Sequence, residues 1–133
     1  GDASAGMIQM MVPANAQQAG QYRILLNDNH GPTTRFCTLT HELAHLYLGH
    51  LGPDLKRHVP DRWGPRSPEI AELEAESVAY VVGRHFGLEG LSSPNYNALN
   101  GATAEKIMEH LERVRDTAAA IIIGVEKLAE PAV

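Results

Sequence analysis

Thr38-Leu39-Thr40-His41-Glu42-Leu43-Ala44-His45, continued by Leu48-Gly49-His50, is the stretch on which the reading of this chain turns. On an α-helix, residues four apart share a face about 5 to 6 Å apart, so His41 and His45 can aim ring nitrogens at one ion. Zinc lies about 2.0 to 2.1 Å from such nitrogens, a span this spacing bridges without strain. Glu42 is rotated by about 100° from His41 and is poorly placed to join the same coordination sphere, but it can reach a water beside the metal. A catalytic zinc keeps three protein ligands and one open position, where water becomes acidic enough to yield a nucleophile near neutral pH. Glu42 then accepts that proton as general base and returns it to the leaving amine, which makes the expected reaction hydrolysis of a peptide bond. In a chain with 7 His the pattern would arise by chance roughly 3 percent of the time, so its surroundings decide.

Outward from the motif, Phe36, Leu39, Leu43 and Leu46 recur at helical spacing, which predicts a helix over residues 33–48 with Thr33 or Thr34 as N-cap and Gly49 as stop. Upstream, Met7-Ile8-Gln9-Met10-Met11-Val12, closed by Pro13, and Gln21-Tyr22-Arg23-Ile24-Leu25-Leu26-Asn27 read as two strands. Downstream, residues 51–67 hold Gly52, Pro53, Pro60, Gly64 and Pro65 and read as an ordered surface loop, long enough to line a cleft. Ser67-Pro68-Glu69 then supplies a cap, a proline for the first helical position and an early acid, and apolar residues from Ile70 to Phe86 carry a second helix to Gly87. After a turn around Ser92-Ser93-Pro94-Asn95-Tyr96-Asn97, Thr103 can cap a long last helix reaching Leu128. Its apolar stripe is Ile107, Leu111, Val114, Ala118, Ile121, Ile122 and Val125. Ala119 to Ile123 is apolar enough to meet a neighbouring domain. These elements predict an α+β fold: a small N-terminal antiparallel sheet, an active-site helix, a ligand helix and a long C-terminal helix.

The second helix offers the missing ligand. Glu72 and Glu76 stand one turn apart on one face, so Glu72 can bind the metal while Glu76 orients a histidine ring. Glu74 lies about 200° round the helix from Glu72 and is the alternative if its face points at the ion, with Glu76 a further one.

Composition narrows the class. A chain of 133 residues fits one domain, 1–133, and its 44% hydrophobic and 20% charged residues are those of an ordinary globular protein. The net charge of −5 and the lack of a basic run argue against direct nucleic-acid binding. Cys37 is the single cysteine, so an internal disulfide and a four-cysteine zinc cage are both excluded, and a reducing compartment is the simplest reading. No stretch approaches the roughly 20 apolar residues that span a bilayer, and the start shows no signal-peptide pattern, so a cytoplasmic protein without membrane contact is expected. The first residue, Gly1, suggests a domain cut from a longer protein.

The motif with Leu48-Gly49-His50, together with Glu72-Leu73-Glu74-Ala75-Glu76-Ser77-Val78-Ala79-Tyr80, resembles the ImmA/IrrE-type zinc metallopeptidases. Within them it is most similar to the peptidase part of ArdC-like antirestriction and polyvalent mobile-element proteins. Ser93-Pro94-Asn95-Tyr96 and the run Ala118-Ala119-Ala120-Ile121-Ile122 add to that likeness, which spans residues 22–126. The resemblance implies a gluzincin-like zincin fold and Zn2+ held by His41, His45 and a second-helix glutamate, with Glu42 as base. The family's ligand glutamate sits three before an alanine, as Glu72 does before Ala75; where the family has a small acid or amide one turn later, this chain has Glu76. The implied partner is a protein or peptide substrate. Any single-stranded-DNA binding would belong to a missing upstream domain.

Other residues take plainer readings. His50 reads as a helix-end histidine favoured by the macrodipole rather than a further ligand, and His30, His58, His85 and His110 as surface or capping residues, His58 being the one in the loop. Of Tyr96, Tyr80 and Tyr47, Tyr96 is the first candidate to donate to the oxyanion formed as water attacks. Cys37 reads as a small core hydrophobe. The last helix's Glu105, Glu109, Glu112, Arg113, Arg115 and Asp116 read as a solvated face. The competing function is a non-catalytic module, or a pseudopeptidase, in which metal only stabilises the fold.

Overall fold

The computed structural model describes residues 5–61 and 67–130. Strands β1 (Gly6–Val12) and β2 (Gln21–Leu26) pair antiparallel with Ile8 opposite Ile24, and the register shifts between Met10 and Val12. Three helices follow: α1 (Pro32–Tyr47), α2 (Pro68–His85) and α3 (Ala104–Leu128), with single 3-10 turns at Leu55–Arg57 and Tyr96–Leu99. The architecture is thus α+β, a two-stranded sheet and three helices. In β2, half-buried Tyr22, Ile24 and Leu26 alternate with exposed Gln21, Arg23 and Leu25, the period of a strand packed on one side.

The helix ends follow from local chemistry. Ser67 Oγ accepts the Ile70 N–H at 3.1 Å and Thr103 Oγ1 accepts the Lys106 N–H at 3.2 Å, as their positions predict. At α1 the expected threonine cap is not used. Gly31 is the N-cap, without a side-chain bond, and Pro32 takes the first helical position, so Thr33 and Thr34 lie inside the first turn. Proline lacks an N–H that would be unpaired there in any case, and its fixed φ suits the site.

The C-terminus of α1 matters more. Gly49 adopts φ 83°, a left-handed value glycine takes at little cost. His50 N–H then bonds back to the His45 carbonyl at 3.0 Å and Gly49 N–H to Leu46 at 3.1 Å, the paired bonds of a Schellman motif. This reversal folds His50 back over His45.

The helices meet through Ala44 and Leu48 of the α1 end, Ala75, Val78 and Val82 of α2, and Val114, Ala118 and Ile121 of α3. Alanine at one contact point on each helix lets the backbones approach closely. Phe36 and Phe86 add an edge-to-face contact at 5.9 Å. Leu111, expected in the apolar stripe of α3, is instead exposed, and so is Ile123 at the end of the apolar run from Ala119.

The loop after α1 is tied to the sheet by a buried acid. Asp54 accepts the Gly20 N–H at 3.0 Å and Arg57 Nη1 at 2.6 Å, while Arg57 also donates to the Gly20 carbonyl and lies over the Tyr22 ring. His58 is exposed and holds φ 61° at the end of the 3-10 turn. The part of this loop with Gly64 and Pro65 lies outside the described residues. Among the described residues, no helix is long and apolar enough to cross a membrane.

Candidate metal centre

Helix α1 presents His41 and His45 toward α2, and Glu72 comes from the facing turn of α2 to meet them. His41 Nε2 and His45 Nε2 are 3.2 Å apart. Glu72 Oε2 lies 3.3 Å from the first and Oε1 2.9 Å from the second. Two ligands about 2.0 to 2.1 Å from a tetrahedral centre sit roughly 3.3 to 3.4 Å apart, so these spacings suit a small divalent cation. Among the described residues this is the group of three or more histidine, cysteine or acidic side chains whose donor atoms converge on one point. The structure therefore brings together Glu72 with His41 and His45, and turns Glu74 elsewhere.

Electrostatics agree with ligation. Burial pushes the His41 imidazole down to about 4 and the His45 imidazole to about 3. Both rings are thus neutral near pH 7, with a lone pair to offer. Burial pushes Glu42 up, opposed by the Ile8 backbone N–H that donates to its carboxylate. Glu42 is thereby anchored to β1.

Behind these three side chains lies a row the sequence reading did not assemble. His45 Nδ1 is 2.8 Å from His50 Nδ1, and His50 Nε2 is 2.9 Å from Glu74 Oε1. Arg113 Nε donates to Glu74 Oε2 at 2.5 Å. Glu74 is fully buried. Burial alone would raise its pKa, but hydrogen bonds from His50 and Arg113 and the charge of Arg113 outweigh it and hold the carboxyl at about 2. Glu74 is therefore not oriented as the alternative ligand, and the histidine-orienting place expected of Glu76 is taken by His50 and Glu74. Arg113 turns inward from a helix face expected to be wholly solvated. His110, expected at the surface, is buried, and neither of its ring nitrogens has a hydrogen-bond partner among the described residues.

A cavity of about 340 Å³ opens beside the centre, walled in part by His41, Glu42, Cys37, Glu76 and Tyr80. A second, of about 380 Å³, runs along Glu69, Glu72, Glu76, Asn95 and Asn97. Cys37 therefore lines the cleft rather than the core. Tyr96 is half-exposed at the start of its 3-10 turn, edge-on to the His110 ring with centroids 6.5 Å apart. Tyr80 is the tyrosine in the wall next to Glu42.

The IrrE N-terminal-like domain of the M78 peptidases matches residues 7–82. The chain belongs to the M78 peptidase family. An uncharacterized protein of Bacillus anthracis is 29% identical over 109 residues, which cover 79% of this chain and 17% of that relative. The chain thus spans about a sixth of the length of the curated relative it matches. No solved structure matches. The M78 match takes in the sheet, the motif helix and most of α2, including His41, Glu42, His45 and Glu72. It begins before the span of the sequence resemblance and ends ahead of α3, so Arg113 reaches the M78 centre from outside the matched residues.

Proposed function

We propose that this M78 domain is a zinc-dependent endopeptidase acting on a specific protein substrate, with His41, His45 and Glu72 as ligands and Glu42 as general base. The observation that carries the reading is the meeting of two neutral imidazoles and a carboxylate at ligand spacing, with Glu42 in the wall of an adjoining cavity. Zinc, when bound, supplies a Lewis acid that polarises a carbonyl and acidifies a water. Glu42, one residue from a ligand but turned toward the cleft, takes a proton there and delivers it to the leaving amine. The Ile8 N–H holds that carboxylate in place against β1, limiting the motion it must lose on reaction. Tyr80 in the same wall, or Tyr96 on the neighbouring turn, donates to the developing oxyanion.

The arrangement of motif helix and ligand helix supports a gluzincin-like fold, and the Ser93-Pro94-Asn95-Tyr96 segment supports a place among ArdC-like proteins. A reducing, cytoplasmic setting fits a lone free thiol at Cys37. A substrate of narrow choice fits two small cavities rather than one long groove.

Glu42→Gln tests the reading. It keeps the ligands and removes the base, so zinc content and melting temperature should match the parent chain while peptide cleavage falls by about 10²- to 10⁴-fold. Undiminished cleavage would remove Glu42 from the mechanism.

A further inference from the structure

We infer that His50, Glu74 and Arg113 form a one-way hydrogen-bond relay that sets the tautomer of His45, presenting a bare Nε2 to the metal centre. The inference rests on the metal-binding reading above and deepens it. It starts from proton counting. The fully buried Glu74 receives Arg113 Nε on one oxygen, so it is a carboxylate, and its other oxygen can only accept from His50 Nε2 at 2.9 Å. His50 Nε2 therefore carries hydrogen.

Arg113 already balances the charge of the buried Glu74, so the relay takes His50 as a neutral imidazole, whose single N–H is spent on Glu74 and whose Nδ1 is left as an acceptor. The 2.8 Å separation from His45 Nδ1 requires one proton between the two nitrogens, and it must come from His45. With its N–H used there, His45 Nε2 is bare. It faces the acceptor Glu72 Oε1 at 2.9 Å and lies 3.2 Å from His41 Nε2, with no proton of its own to share. Such a cluster is satisfied by a cation. The direction of every bond is thus dictated from Arg113, three links away on α3.

The backbone builds the relay. The Schellman turn at Gly49 brings His50 back over His45, α2 contributes Glu74 two residues after the ligand Glu72, and α3 closes the row. His50 and Glu74 are positioning residues that act through His45. A carboxylate or carbonyl usually receives the second N–H of a metal-bound histidine directly. Here a second imidazole stands between.

The test pairs nuclear magnetic resonance with metal titration. In the zinc-loaded chain labelled with ¹⁵N-histidine, His45 should appear as the Nδ1–H form and His50 as Nε2–H, with a scalar coupling across the His45 Nδ1–H···Nδ1 His50 bond. Chelator competition should then show His50→Phe binding zinc about 10- to 100-fold more weakly. His50→Gln, whose amide oxygen can accept from His45 while its NH₂ donates to Glu74, should recover to within a few-fold of the parent. A His50 Nδ1–H form, or equal zinc affinity in all three chains, would overturn the relay. A parent chain that takes up no zinc, yet shows the same His45 and His50 tautomers metal-free, would overturn the metal-centre reading while leaving the relay standing.

Discussion

Glu72 and Glu74 are two residues apart on α2 yet face opposite tasks: Glu72 Oε1 lies 2.9 Å from His45 Nε2, whereas Glu74, fully buried, lies between His50 and Arg113. The difference follows from helix geometry, since a two-residue step turns a side chain by about 200°. Replacing each should separate the tasks. Glu72→Ala removes the proposed third ligand and should cost more zinc affinity than Glu74→Ala, while leaving the metal-free melting temperature nearly unchanged. Glu74→Ala strands Arg113 and His50 beside a void and should destabilise the metal-free fold by about 2 to 4 kcal/mol. Metal analysis and thermal melts of both variants check this, and a larger zinc loss in Glu74→Ala would move the third ligand.

Much of the site was readable because it is local. His41 and His45 need only helical periodicity, and the caps at Ser67 and Thr103 need only a hydroxyl three residues before an unpaired N–H. Choosing Glu72 over Glu74 and Glu76 needed helix rotation together with the family resemblance. The relay was not legible as a whole, since His50 and Glu74 are 24 residues apart and Glu74 and Arg113 are 39 apart. Arg113 looked like any charge on an amphipathic face. One signal was present: a glycine after a helix announces a Schellman turn, which seats the next residue over the one five before it, here His50 over His45.

Asp54 was likewise missed, because its partner Gly20 is 34 residues earlier. Its carboxylate joins the loop after α1 to the entry of β2, with Arg57 as counter-ion. Asp54→Ala leaves the Gly20 N–H buried without an acceptor, and frees a half-exposed Arg57. The expected loss is about 2 to 3 kcal/mol, or roughly 5 to 12 °C in melting temperature for a chain of this size. Zinc affinity measured well below the transition should be unchanged, because no atom of this junction touches the ligands. An equal melting temperature would deny the junction a structural role.

The tyrosines can be separated by a pair of conservative changes. Tyr80 shares a cavity wall with Glu42, whereas Tyr96 stands half-exposed against His110. A lost oxyanion donor costs about 10²- to 10³-fold in kcat with little change in substrate affinity. Tyr80→Phe should show that loss and Tyr96→Phe a smaller one. The reverse order in steady-state kinetics would restore Tyr96 to the place the sequence reading gave it.

Metal-free stability should fall with acid, and the sign can be worked out group by group. His41 and His45 titrate near 4 and 3 in the folded chain against 6.5 for a free imidazole, because burial disfavours their charged forms. Between those values the unfolded chain binds protons that the folded one refuses, so their contribution is complete above about 6.5 and shrinks as pH drops toward 3 to 4. Glu74, held at about 2 against 4.5, contributes fully above 4.5 and loses that contribution as pH falls toward 2. Glu42, whose pKa is pushed up, works in the opposite sense and offsets part of the loss. At about 1.4 kcal/mol per pKa unit, His41 alone accounts for about 3 kcal/mol once its window is crossed. Melts in the presence of chelator should therefore drop steeply between pH 6.5 and pH 4, and His41→Asn should flatten that slope. A melting temperature constant over this range would mean that the two rings titrate alike in the folded and unfolded chain, against the burial that the structure gives them.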